Sequence, residues 1–119
     1  MRKKILIVDD ESIILEYLAY EFNYNGFHVL LAQSGNEAIE LCKKTPEIEL
    51  ILTDIRMKNG DGHQLNSFIQ AQNQDCKFFF MSADQSITPE DVASFKANGF
   101  FRKPFDFDYV IKQIKDSAN

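Results

Sequence analysis

At 119 residues the chain has room for one domain, and a globular chain of that size buries about two-thirds of the surface its unfolded form exposes, so it needs neither a disulfide nor a metal to fold. With 45% hydrophobic and 26% charged residues and only five Gly and three Pro, its composition excludes a disordered or fibrous chain. The formal net charge of −5 argues against direct binding of nucleic acid, which needs a basic surface, so the expected partners are proteins.

The start, Met1-Arg2-Lys3-Lys4, is basic and leads into an apolar run at 5–8 that stops at Asp9-Asp10. A secretory signal needs an apolar region of roughly 7–15 residues and a membrane span about 20, so this run predicts a buried strand in a cytoplasmic chain that makes no membrane contact. Ile14, Leu15, Leu18, Ala19 and Phe22 follow at helical spacing and stop at Asn25-Gly26, a helix C-terminal signal. The run at 27–32, which includes His28, predicts a second strand. Ser34 with Glu37 has the form of a capping box and opens a second helix through Ala38, Leu41 and Cys42.

The third strand is expected at 50–53 and the third helix along Leu65, Phe68 and Ile69, with His63 at its start. A fourth strand is expected at 78–82, then Thr88-Pro89-Glu90-Asp91 opens a fourth helix with a capping residue, Pro in the first turn and two acids. Phe100-Phe101 predicts a short fifth strand, and Phe107, Val110, Ile111 and Ile114 the stripe of a fifth helix. Neither His28 nor His63 has a partner motif, so neither is assigned to metal or catalysis. Cys42 and Cys76 form no C-x-x-C and are expected as reduced thiols.

Short, nearly continuous apolar strands alternating with helices predict an α/β domain: a parallel sheet covered on both faces, with right-handed crossovers. Ligand sites in such sheets lie beyond the strand C-termini. There the sequence places Asp9 and Asp10, Asp54, Ser82 and Lys103, from four separate strands. Three carboxylates brought close repel one another and call for a cation. An oxygen-rich set suits Mg²⁺, with Lys103 as a second positive charge and the Ser82 hydroxyl as a donor, together matching a phosphoryl group held on a carboxylate. Taken singly, the acids read as helix caps, the serine as a turn hydroxyl and the lysine as a surface residue; their coincidence carries the functional reading.

Four stretches carry a family resemblance: Ile5-Leu6-Ile7-Val8-Asp9-Asp10-Glu11; Leu52-Thr53-Asp54-Ile55-Arg56-Met57 with Asp61-Gly62; Met81-Ser82-Ala83; and Phe101-Arg102-Lys103-Pro104-Phe105. In order and spacing, over essentially the whole chain, they resemble the receiver domain of two-component response regulators. The resemblance implies one receiver domain over 1–119, with a doubly wound (βα)5 flavodoxin-like fold and strand order 2-1-3-4-5. It also implies that Asp54 takes a phosphoryl group from a sensor histidine kinase or histidine phosphotransfer protein. Asp9, Asp10, Asp54 and the backbone carbonyl of Arg56 would hold Mg²⁺, for which Mn²⁺ can substitute. Lys103 would pair with Asp54 at rest and with a phosphoryl oxygen afterwards, and Lys103-Pro104 would be a cis peptide. Ser82 would move toward the phosphoryl group with Phe100 as the aromatic switch, altering the surface of the fourth helix, fifth strand and fifth helix. Such a chain catalyses its own phosphorylation and dephosphorylation with no separate turnover substrate. Its further partners would be a downstream effector protein or domain and, when phosphorylated, a second copy.

Three positions depart from the family pattern. Lys58 stands where proline is usual, and Phe100 lacks the hydroxyl of a tyrosine. Lys96 replaces a glycine that often closes the fourth helix, so either Lys96 adopts a left-handed conformation or the helix ends differently. Arg56 and Asp84, two residues past Asp54 and Ser82, flank the route of attacking water in this family, where opposite charges would pair and slow hydrolysis. Phe95, Phe101, Phe105 and Phe107 fall near the fourth and fifth helices, either as core or as an exposed partner patch.

Other functions fit less well. A haloacid-dehalogenase-type phosphatase needs Asp-x-Asp after the first strand, whereas Asp9 and Asp10 are adjacent; an FMN-binding flavodoxin would meet an acidic first loop, Asp9-Asp10-Glu11-Ser12, that repels phosphate. The alternative left standing is a phosphorylation-independent binding module on the same fold. The sequence leaves open a stand-alone regulator or a receiver belonging to a longer protein.

Overall fold

In a computed structural model, which describes residues 2–72, 75–104 and 106–118, the apolar runs form five parallel strands: β1 Lys4–Val8, β2 His28–Ala32, β3 Leu50–Asp54, β4 Lys77–Ser82 and β5 Gly99–Arg102. Their order is β2-β1-β3-β4-β5, as the family resemblance implied. Phe105, from the fourth motif stretch and the proposed aromatic patch, lies outside the described residues. The helices are α1 Ser12–Tyr24, α2 Gly35–Lys44, α3 Gly62–Ala71, α4 Pro89–Ala93 and α5 Phe107–Ala118.

Successive strand residues face opposite sides of a sheet, which is why runs apolar throughout can be buried on both. Ile5, Ile7, Leu52, Phe79 and Met81 pack on one face with Leu15, Leu18 and Phe22 of α1 and Val110, Ile111 and Ile114 of α5. Leu6, Val8, Ile51, Phe78 and Phe80 pack on the other with Ala38 and Cys42 of α2, Leu65 and Ile69 of α3 and Val92 of α4. Burial of this order stabilises by about 1.5–3 kcal/mol per large side chain, opposed by the ordering entropy of the chain.

Helix ends follow local chemistry. α1 ends at Asn25 and Gly26, whose φ of +92° suits a residue without Cβ. Ser34 Oγ accepts the Glu37 amide at the start of α2. Full reciprocal capping boxes open α3, through Asp61 and Gln64, and α4, through Thr88 and Asp91. α4 is only five residues long and closes at Ala93, ahead of Lys96. Among the described residues Asn59 is the one non-glycine with positive φ, so Lys96 stays out of the left-handed region and the helix simply ends earlier.

Of the phenylalanines considered for an exposed patch, Phe101 is buried and Phe95 and Phe107 are half-buried. Phe95 stacks on His63 with centroids 4.1 Å apart, and Phe107 stacks on Tyr17 at 4.6 Å. The large exposed apolar side chains instead include Ile13, Tyr17, Tyr20 and Tyr24, one stripe along α1. Cys42 and Cys76 are free thiols; burial pushes Cys42 up to about 11 and Cys76 up to about 12, so both stay protonated at neutral pH. Among the described residues, no helix is long and apolar enough to cross a membrane.

Candidate functional site

Parallel register brings the predicted polar residues to one edge. Val8 pairs with Thr53, Asp54 with Met81, and Ser82 with Arg102, so Asp9, Asp54, Ser82 and Lys103 emerge side by side at the C-terminal ends of β1, β3, β4 and β5. Backbone bonds continue the ladder past the strands: the Asp9 amide donates to Ala32, and the Lys103 amide to Ser82. The Lys103–Pro104 peptide is cis.

Lys103 Nζ donates to Asp9 Oδ2 at 2.6 Å and to Asp54 Oδ2 at 3.0 Å. Asp9 is fully buried, and its Oδ1 accepts the Glu11 amide at 2.9 Å. Asp54 is 8% exposed. Burial pushes the Asp54 carboxyl above the usual aspartate range; attraction and a hydrogen bond from Lys103 offset this only in part, and repulsion from Asp9 adds to it. Burial pulls Lys103 down, but its hydrogen bond to Asp9 and its attraction and hydrogen bond to Asp54 outweigh that and hold the ammonium above the usual lysine value. The two directions are consistent because one ammonium is shared between two carboxylates, leaving negative charge in excess.

Carboxylate oxygens of Asp9, Glu11 and Asp54 all lie within 4.8 Å of one another. Three carboxylates against one ammonium leave two negative charges, which fits a divalent cation with oxygen ligands. Asp10, expected from the sequence as a ligand, is exposed and falls outside this group, while Glu11, not singled out from the sequence, falls inside it. The signal for Glu11 was the turn that follows Asp9, which folds residue 11 back over the Asp9 carboxylate.

The rim is built from loops. Gly62 donates its amide to Ile55 at 2.8 Å, and a Cβ there would stand 2.5 Å from the Asp54 carbonyl oxygen, so only glycine lets α3 start this close to the β3 end. Ser82 is buried, and its Oγ accepts the Asp84 amide at 3.0 Å. Arg56 Nε lies 2.7 Å from Asp84 Oδ2, so the two residues expected to flank the site form an ion pair. A recess of about 330 Å³ beside the site is lined by Glu11, Ile14, Ala83, Lys103, Pro104 and Phe107. Phe100 is half-buried on β5, with the Arg102 guanidinium over its ring.

Residues 5–115 match the family profile described as the response regulator receiver domain. The chain is similar to the transcriptional regulatory protein GlrR of Escherichia coli, with 30% identity over 95% of this chain and 26% of that protein. It is also similar to response regulator RR06 of Streptococcus pneumoniae, with 31% identity over 93% of this chain and 51% of that protein. The chain thus spans about a quarter to a half of these curated relatives. Among solved structures, the CheX-CheY-BeF3-Mg²⁺ complex from Borrelia burgdorferi contains a chain superposing with a TM-score of 0.89 at 27% identity, over 98% of this chain and 90% of that one.

Proposed function

The chain belongs to the response regulator receiver family of two-component systems, and on that premise we propose that Asp54 is its phosphoacceptor. The observation carrying this reading is the buried Asp54 carboxylate, paired to Lys103 beside Asp9 in a site with uncompensated negative charge. An Asp54 oxygen attacks the phosphorus of a partner's phosphohistidine; the O–P bond forms, the N–P bond breaks, and its electron pair returns to the imidazole. In discharge, water attacks the phosphorus, the bond from phosphorus to the Asp54 oxygen breaks with its electron pair returning to the carboxylate, and inorganic phosphate leaves.

Asp9, Asp54 and Glu11, with Asp10 at the rim and the backbone carbonyl of Arg56, would hold Mg²⁺, or Mn²⁺ in its place. When bound, the ion neutralises charge on the phosphoryl oxygens. Lys103 stays anchored by Asp9 and exchanges its Asp54 contact for a phosphoryl oxygen. Ser82 Oγ leaves the Asp84 amide and donates to another. The Arg56–Asp84 pair stands over the acceptor and slows entry of the hydrolytic water. Motion of Ser82 and Phe100 reshapes the surface of α4, β5 and α5, which an effector protein, an effector domain or a second copy then reads.

The donor is a sensor histidine kinase or histidine phosphotransfer protein, and the setting cytoplasmic. The chain acts as an acceptor that promotes its own phosphorylation and dephosphorylation, without a separate turnover substrate and without binding nucleic acid itself. Incubation with acetyl phosphate, with Mg²⁺ or with a chelator, followed by intact mass, tests this reading. A phosphoryl gain with Mg²⁺ that the chelator prevents supports it; no gain with any donor points to a phosphorylation-independent binding module.

A further inference from the structure

Residues 83–88, which join β4 to α4, are tied to the neighbouring strand through the guanidinium of Arg102. Arg102, the last residue of β5, donates from Nη1 to the Asp84 carbonyl at 2.9 Å and from Nη2 to the Ile87 carbonyl. Its guanidinium carbon also lies 5.3 Å from the centroid of the Phe100 ring. Phe100 and Arg102 are two apart on a strand and therefore share a face. Asp84 is the hub of the loop: its amide donates to Ser82 Oγ, its carbonyl accepts the Ile87 amide at 3.2 Å, and its carboxylate accepts the Ser86 amide at 2.9 Å and faces Arg56.

We propose that Arg102 is a positioning residue that latches the Phe100 ring to the backbone of residues 84–87, so that the loop cannot follow Ser82 without moving the ring. The chemistry requires arginine. A planar fork can address two carbonyls and lay its face on an aromatic ring at once, whereas a lysine ammonium is a point charge that cannot do all three. Hydrogen bonds from a charged donor are also the stronger kind, and these two hold carbonyls of a connecting loop. The latch is a property of the resting chain; its consequence for signalling rests on the reading of Ser82 and Phe100 given above.

The test is amide exchange by NMR on the unphosphorylated chain, comparing wild type, Arg102→Lys, Phe100→Leu and the double variant. Arg102→Lys is expected to speed exchange at Ser86 and Ile87 by about 10-fold or more while Ala38 and Leu41 of α2 are unchanged. Phe100→Leu is expected to speed the same amides when introduced alone and to add nothing on top of Arg102→Lys, because its route to the loop is then gone. Equal, additive effects of the two substitutions, or faster exchange in α2 as well, would overturn the latch. A second arm follows the Phe100 ring signals after acetyl phosphate treatment. The latch predicts that Arg102→Lys keeps the phosphoryl mass gain and loses the ring shift, and an undiminished shift overturns it. If wild type itself gains no phosphoryl group, the phosphoacceptor reading falls, and the resting-state exchange still decides the latch.

Discussion

Lys103 Nζ stands 2.6 Å from Asp9 Oδ2, and Asp9 is completely buried. The lysine is thereby anchored by a residue other than the proposed acceptor and would stay in place if its 3.0 Å contact to Asp54 were exchanged for a phosphoryl oxygen. Removing one partner of a buried pair leaves the other charge uncompensated. Lys103→Met is therefore expected to destabilise the chain by about 3–5 kcal/mol at neutral pH, read by urea unfolding. The Lys103 value is raised on folding, so its contribution is complete below the ordinary lysine value of 10.5 and is lost as pH rises through the folded value. Wild type should show this alkaline loss and Lys103→Met should not.

Asp54 shares the direction of this linkage, its folded value also being raised, but at neutral pH its contribution is a penalty rather than a gain. Its carboxyl is raised above the ordinary 3.8 chiefly by burial, so the ionised form opposes folding at neutral pH, and that penalty disappears as pH falls through the folded value. Without divalent cation, Asp54→Asn should be more stable than wild type at pH 7, with the gap closing as pH falls toward 3.8. Thermal unfolding across pH checks this, and a wild type more stable than the variant at pH 7 would contradict it.

Mg²⁺ should stabilise the wild type by linkage, about 2.7 kcal/mol at a hundredfold excess over its dissociation constant. Asp54→Asn should lose most of this gain. Because Glu11 lies within the carboxylate group and Asp10 outside it, Glu11→Gln is expected to weaken the Mg²⁺ response of the melting temperature more than Asp10→Asn. The reverse ranking would make Asp10 rather than Glu11 the stronger ligand.

Arg56 is largely exposed, so its ion pair with Asp84 should contribute little to folding, about 0–1 kcal/mol. Its predicted effect is kinetic. Arg56→Ala and Asp84→Ala should each leave urea stability nearly unchanged and speed loss of the phosphoryl group several-fold. Unchanged dephosphorylation rates would remove the gate.

The strands and helices were legible because buried parallel strands and amphipathic helices carry separable periodicities, as 78–82 and the α5 stripe show. Asp9, Asp54, Ser82 and Lys103 were legible because each sits at a strand end that the topology must bring to one edge. What the sequence hid depends on side-chain reach across loops. Glu11 joins the carboxylates only because its own amide caps Asp9, and Arg102 finds Asp84 and Ile87 on a loop many residues away in sequence. The Asp61–Gln64 box has the same spacing as the Thr88–Asp91 box, and it lies in the stretch that also carries Asp61-Gly62. The α1 stripe was hidden for a different reason. Tyr17, Tyr20 and Tyr24 keep helical spacing on the outer face, where periodicity gives no sign of which side meets the sheet.

If Asp54 is the phosphoacceptor, it alone carries the phosphoryl group. Treating the acetyl phosphate-reacted chain with borohydride reduces an aspartyl phosphate to homoserine, and peptide masses then place that residue. Homoserine is expected at position 54 alone, absent when Mg²⁺ is chelated; homoserine at another acidic position, or at none after a confirmed phosphoryl mass gain, would overturn Asp54 as the acceptor.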